Sequence, residues 1–393
     1  MIDSFYLAWR YIVFNRIKTI TLVLCISLVS FLPFALKILL NESEHQLMSR
    51  AITTPLLVGA KGNSLDLVMN SLYFSKEKPD FISMKAIEKV MDSYLAVPIP
   101  LYTRFHAREY PIVGTTLDYF EFRKHKVAEG RSFAMLGESL IGADVAARLN
   151  LKVGGSILSS PENLFDLAGV YPLKMKVVGI LQKTNSVDDK AVFVDLKTTW
   201  VIQGLGHGHQ DVKKIADESD VLSRSDKLVT TSTKIKQYTE INVDNLGSFH
   251  FHGDPSIYPL TAIIAVPNDE KSATILSGRY LSEQKNQQIV RPKKVIEDLL
   301  GNIFQIKEFI DAVVLIVAIA MVLAIFLVFS LSFRLRQKEI STILHLGCSR
   351  STVVQLIGAE ILIIAVFSGM LCFSSLLVLQ YFQGEIVHQL FIS

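Results

Sequence analysis

The chain has 393 residues, half of them apolar, with a net charge of only +3 and a positive mean hydropathy. So small a charge leaves no electrostatic footprint for nucleic acid, and the apolar content excludes a disordered chain. The apolar residues gather at 19–40, 312–333 and 353–382, while the middle has ordinary soluble composition. The sequence therefore reads as a membrane protein carrying one large folded domain outside the bilayer.

Thr19 to Leu36 holds no charge, and the apolar run continues past Lys37 to Leu40. About 20 helical residues cross a bilayer core of roughly 30 Å, so 19–40 is a first span. Lys37 snorkels to the interface and Pro33 bends the outer end. The run is long for a signal peptide and lacks a small-residue cleavage site, so the span is read as uncleaved. Residues 41–51 are charged and helix-friendly, a stalk that prolongs the span.

Between residues 41 and 307 the pattern is mixed α/β. Short β-like runs fall at 96–102, 110–114, 175–180, 191–194 and 260–266, separated by Gly, Pro and Asn turns. Gly142 to Leu149 reads as a short helix, with Val145 and Leu149 on one face. Gly204 to Thr230 is polar with mixed charge and reads as a long exposed loop. Arg291-Pro292 starts a second stalk, because Pro suits the first helical turn. Leu299, Leu300, Ile303, Ile306, Phe309 and Ile310 then recur at helical spacing.

Ala312 to Phe333 carries no charge, and the second span is drawn at 308–333. Val353 to Phe382 is the third, with Glu360 its one charge, read as an anchoring or packing residue. Arg10, Arg16 and Lys18 precede span one, and Arg334, Arg336, Lys338 and Arg350 lie between spans two and three. The positive-inside rule puts residues 1–18 and the 334–352 loop in the cytoplasm. Residues 41–307 and the 383–393 tail then lie on the other side. No cysteine occurs between 41 and 307, so disulfides do not hold that domain together.

Catalytic signatures are missing. No Gly-Lys dipeptide exists to close a phosphate-cradling loop, and Gly59-Ala60-Lys61-Gly62-Asn63-Ser64 has the wrong order on the wrong side for ATP. Neither H-E-x-x-H nor G-x-S-x-G occurs. The chain is read as a non-enzyme. The 334–352 loop is too short to fold alone. Ile340, Ile343, Leu344 and Leu346 would dock as one face of a short helix in a partner's groove. Arg334, Arg336 and Arg350 have two readings, this docking or the binding of lipid headgroups.

Four regions together resemble the MacB/FtsX-like permease family of the type VII ABC transporter fold. They are Leu7-Ala8-Trp9-Arg10 with Asn15-Arg16-Ile17-Lys18-Thr19; Leu56-Leu57-Val58-Gly59-Ala60-Lys61-Gly62; the spread set Val113-Gly114-Thr115, Gly130-Arg131-Ser132-Phe133, Ile141-Gly142-Ala143-Asp144-Val145-Ala146 and Val177-Val178-Gly179-Ile180; and Arg336-Gln337-Lys338-Glu339-Ile340 with Leu344-His345-Leu346-Gly347-Cys348-Ser349-Arg350. The resemblance implies three transmembrane α-helices with a large α/β periplasmic domain of MacB-like core type between helices 1 and 2, and an inserted subdomain near 114–235. It implies an amphipathic helix before span one and a bacterial inner-membrane location. The family has four spans, so this chain reads either as a three-span variant or as a truncated four-span member.

By the same resemblance, a separate ABC ATPase dimer holds ATP and Mg, and its closure pushes the cytoplasmic loop through Arg336, Glu339, Ile340, Leu344, Leu346, Gly347 and Arg350. No cofactor is expected in this chain itself. A second permease copy and a lipoprotein, peptide or other envelope partner are implied, with Ser368, Gly369, Ser374 and Ser375 as small residues for close helix contact.

The histidines carry an alternative. His207-x-His209 and His250-x-His252 repeat one spacing, with Asp211 and Asp254 nearby. Alternate residues of a strand share a face, and neutral imidazole suits zinc or copper. The pairs read either as solvated loop residues or as a zinc site in a metal-linked transport or sensing component.

Overall fold

β-Branched and aromatic runs become most strands here, and glycine or a capping side chain marks several helix starts. In the computed structural model the described residues are 2–160, 172–208, 221–225, 228–231, 239–283, 286–335, 337–345, 347 and 349–391. The first elements are α1 (Ile2–Phe14), α2 (Arg16–Ile52), β1 (Leu56–Ala60), α3 (Ser64–Tyr73), β2 (Ile82–Ser83), α4 (Lys85–Asp92), β3 (Ala96–Ala107) and β4 (Tyr110–Thr115). Next come α5 (Asp118–Arg123), β5 (Val127–Gly130), β6 (Glu138–Ile141), α6 (Ala143–Leu149), β7 (Ser156–Leu158), β8 (Lys174–Leu181), β9 (Val192–Asp195), α7 (Leu196–Ile202) and β10 (Gly206–Gly208). The last are β11 (Val221–Ser225), β12 (Leu228–Thr231), β13 (Phe249–Phe251), β14 (Pro259–Leu260), β15 (Ala262–Pro267), α8 (Glu270–Glu283), β16 (Gln287–Val290), α9 (Pro292–Leu335), α10 (Gln337–His345) and α11 (Arg350–Phe391).

The chain divides into two units. One is Gln46–Leu299; the other joins Met1–His45 to Leu300–Ser393. The first is built on a mixed sheet of order β16-β1-β15-β3-β4-β9-β6-β8-β5, with β7 pairing β8 off that path. Strand β3 is long enough to serve both halves. It pairs β15 through Ala96–Leu101 and β4 through Tyr102–Ala107, with a register irregularity between Tyr102 and Phe105 where the pairing changes. Helices α3, α4, α7 and α8 pack on the sheet. The buried core includes Leu56, Val58, Tyr102, Ile112, Ile141, Met175, Val194, Trp200 and Ile263.

Two local features follow from sequence. Asn63 accepts from the Leu65 amide at 3.0 Å and caps α3. Ser186 and Asp189 form a capping box over the short 3-10 turn Val187–Lys190. The expected strands at 175–180 and 191–194 occur as β8 and β9, and the expected helix at 142–149 occurs as α6 with Gly142 at its N-cap.

The expected exposed loop over 204–230 is corrected. Gly206–Gly208 is a strand paired antiparallel to β13, with Gly206 and Gly208 buried, and β11 pairs β12 as a hairpin. Glycine has little strand propensity, so tertiary pairing decides this segment.

Helix α2 has 37 residues, about 55 Å at 1.5 Å per residue, with Pro33 inside. α2 and the 350–384 part of α11 are each long and apolar enough to cross a membrane. Helix α9 runs unbroken over 44 residues from the expected Pro292 start and includes the 312–333 segment. Within it, 311–320 is a shorter apolar stretch among the described residues. Trp9 of α1 stacks on Phe367 of α11 with ring centroids 6.0 Å apart. Helix α1 therefore lies along α11, roughly 25 Å from that helix's first residue. Glu360 and Ser368 of α11 are buried.

Candidate functional site

The Gly-His-Gly strand β10 faces the Phe-His-Phe strand β13, with Gly206 opposite Phe251, His207 opposite His250 and Gly208 opposite Phe249. Small faces large on one side and imidazole faces imidazole on the other. A Cβ on Gly206 would come 2.6 Å from the Phe251 ring, and one on Gly208 2.6 Å from the Phe249 ring. Glycine thus lets both rings lie over β10, and both rings pack against the domain core. The period of two then turns His207 and His250 to the opposite face, and His252 follows on the same side.

The three rings form a cluster. Centroid separations are 5.0 Å for His207–His250, 4.8 Å for His207–His252 and 4.8 Å for His250–His252. Nε2 of His207 and Nε2 of His252 are 3.4 Å apart. His250 Nδ1 lies 3.2 Å from the Ser248 carbonyl, which only accepts, so that nitrogen carries the proton and Nε2 keeps its lone pair. The base of the cluster is braced. The His252 amide donates to the Leu205 carbonyl at 3.0 Å, and Tyr258 Oη donates to the His252 carbonyl at 2.9 Å. Trp200 packs edge-on against Tyr258 and donates from Nε1 to the Pro259 carbonyl.

Of the four histidines singled out from sequence, His207, His250 and His252 come together, and His209 lies outside the described residues. Asp211 also lies outside them. Asp254 is not part of the cluster; it caps the turn at Pro255–Ile257 by accepting from the Ser256 amide and hydroxyl.

The loop residues are placed as follows. Glu339, Ile340 and Leu344 are in α10, while Arg336 and Leu346 lie outside the described residues. Gly347 has φ of +93°, a left-handed geometry that suits glycine just past a helix end. Arg350 is exposed at the start of α11, which Ser349 caps by accepting from the Thr352 amide at 3.2 Å.

A buried ionic cluster was not foreseen. Arg50, in the last turn of α2, donates to both oxygens of Asp188 at 2.5 and 3.0 Å. Tyr119 Oη and His125 Nε2 also reach Asp188, at 2.7 and 2.9 Å. Burial alone would raise the Asp188 carboxyl, but the Arg50 charge and the donated hydrogen bonds hold it well below the usual carboxylate range. Burial pushes the Tyr119 phenol up to about 12. Arg123 adds donors to Thr53 and Thr54 just after α2. The available signal was weak: a lone arginine in a stalk, and the Ser186-x-x-Asp189 box beside Asp188.

No protein-family model matches the sequence, and no curated protein matches it. Solved structures do. The extracellular domain of the noncanonic ABC-type transporter YknZ from Gram-positive bacteria is 9% identical, with a TM-score of 0.33 over 60% of this chain and 98% of that one. The periplasmic region of MacB from Actinobacillus actinomycetemcomitans is 12% identical, with a TM-score of 0.33 over 63% and 93%. A domain of a putative permease protein from Porphyromonas gingivalis is 10% identical, with a TM-score of 0.27 over 60% and 88%.

Proposed function

We propose that the chain is a non-catalytic permease-type subunit of a bacterial inner membrane, passing motion from a separate ATPase to an extracytoplasmic α/β domain. One observation carries this reading. Three residues separate the end of α2 from β1, and one separates the end of β16 from α9. β1 and β16 pair antiparallel with Leu57 opposite Val290, so the arriving helix and the departing helix attach to neighbouring strand ends. A relative shift of the two helices would then act on a single strand pair. The Arg50–Asp188 pair would pass it on to the half of the sheet that holds β9.

In this reading α2, α9 and α11 are three spans, with the N-terminus and the 334–352 loop cytoplasmic. Glu339, Ile340, Leu344 and Leu346 would meet an ABC ATPase dimer that binds ATP and Mg. A second permease copy would complete the bundle, and the outer domain would act on a lipoprotein, peptide or other envelope partner.

The test is purification of the tagged chain from its native membranes. A stoichiometric ATP-hydrolysing subunit is expected, with its turnover lowered at least tenfold by Leu346→Asp or Arg336→Glu. Absence of any ATPase, or turnover untouched by both changes, would overturn the reading.

A further inference from the structure

The three-histidine face formed by β10 and β13 has the donor set of a transition-metal site. We propose that His207, His250 and His252 bind one borderline divalent ion, for which Zn2+ is the natural probe. This stands independently of the transport reading.

The geometry comes first. Two ligands at 2.0–2.1 Å from a tetrahedral ion lie roughly 3.3–3.4 Å apart. The His207 and His252 Nε2 atoms are at 3.4 Å. All three ligand atoms lie within 4.8 Å of one another, so closing on an ion asks for an adjustment of roughly 1–1.5 Å. His250 and His252 are exposed and His207 half-buried, which leaves the rings room to turn and the ion a path in.

The chemistry selects the ion. Among the described residues the donor set is three imidazole nitrogens, which suits zinc, copper or nickel and disfavours calcium and magnesium, which take oxygen. The hydrogen bond from His250 Nδ1 to Ser248 fixes the tautomer that presents Nε2, the outer-shell arrangement common to metal-bound histidine.

The fold supplies the scaffold. Core packing explains Phe249 and Phe251 but places no demand on the residues between and after them, whose side chains face solvent. A bound ion would tie His207 to His250 and His252 across the strand pair. It would stabilise the folded state by mass action.

The experiment is zinc titration of the full chain in detergent against a competing chromophoric chelator. One Zn2+ per chain is expected, weakened at least tenfold by His207→Ala, His250→Ala or His252→Ala and unchanged by His106→Ala. A wild-type chain that takes up no zinc, or a triple variant that keeps full affinity, would overturn the site. So would equal loss in His106→Ala. Should the variants fold poorly, acylation of histidines in the wild-type chain, read by mass spectrometry, tests the same site. Zinc should protect His207, His250 and His252 but not His106; uniform or absent protection would refute it.

Discussion

Arg50 and Asp188 are 138 residues apart in sequence and meet in a two-pronged ion pair with little exposure on either side chain. Arg50 belongs to the last turn of the long helix α2, and Asp188 to the 3-10 turn between β8 and β9. Such a pair is geometrically specific, because the guanidinium fork matches a carboxylate. It ties the last turn of α2 to that 3-10 turn within the Gln46–Leu299 unit, where sequence alone suggested only a stalk prolonging the first span.

Removing one partner leaves the other charge buried. Arg50→Met should therefore destabilise the Gln46–Leu299 unit by about 3–5 kcal/mol, while Arg50→Met with Asp188→Leu should lose clearly less. Urea unfolding of the full chain in detergent, followed by fluorescence, reads this directly. Trp9 and Trp200 are the only tryptophans, so Trp9→Phe leaves buried Trp200 as reporter. A double variant as weak as the sum of its singles would refute the pairing energy.

Acid should weaken the same cluster. The folded Asp188 carboxyl titrates well below its ordinary value, which is about 3.9 in an unfolded chain. Between those two values the unfolded state binds more protons, so stability falls as pH drops and is fully present above about pH 4–5. Among the described residues, the titratable groups bonded to Asp188 are Arg50, Tyr119 and His125, with the Ser186 hydroxyl beside them. The urea midpoint of the wild-type chain should fall more steeply between about pH 4 and 2 than that of Asp188→Asn. Parallel slopes would place the acid sensitivity elsewhere.

Gly142 guards the turn that carries Asp188. A Cβ there would lie 2.3 Å from the Asp189 carbonyl oxygen and 2.4 Å from that of Asp188, both backbone atoms that cannot rotate aside. Gly142→Ala should lower stability by about 1–3 kcal/mol through displacement of the turn. Part of that loss should vanish in an Asp188→Asn background, since both changes act on the same turn. Strict additivity in the four-variant cycle would separate the glycine from the ion pair.

Sequence made the long helices, α6 and five of the ten main-sheet strands legible, because their signals are local, and left α3, α4, α5, α7 and α8 unread. Hydrophobic runs, the Pro292 start and the Gly142 helix all announce themselves within a few residues. The ionic cluster was hidden because Arg50, Tyr119, His125 and Asp188 carry no motif, lie far apart in sequence and are brought together by the fold. The histidine site was half visible. The repeated spacing drew attention, but Gly206–Gly208 looked like loop, since glycine opposes strand formation until Phe249 and Phe251 cover it. The clue lay in complementarity: Gly-His-Gly and Phe-His-Phe are small and large versions of one alternation. Of the loop residues, Glu339 and Leu344 are placed by their helix alone, and Arg336 and Leu346 lie outside the described residues.

That complementarity yields a direct test. Gly206→Ala sets a methyl 2.6 Å from the Phe251 ring, and Gly208→Ala does the same to Phe249. The ring must tilt off the strand or the strand must move, at about 1–3 kcal/mol in each case. Trimming the ring removes the conflict, so Gly206→Ala with Phe251→Ala should be scarcely weaker than Phe251→Ala alone. Amide hydrogen exchange at β10 and β13 locates the effect: Gly206→Ala should speed exchange in both strands and leave the β1–β16 pair unchanged. If the two substitutions add fully, the ring tolerates a side chain at position 206. The glycines would then have another reason to be there, and the register that turns His207, His250 and His252 outward would need a different cause.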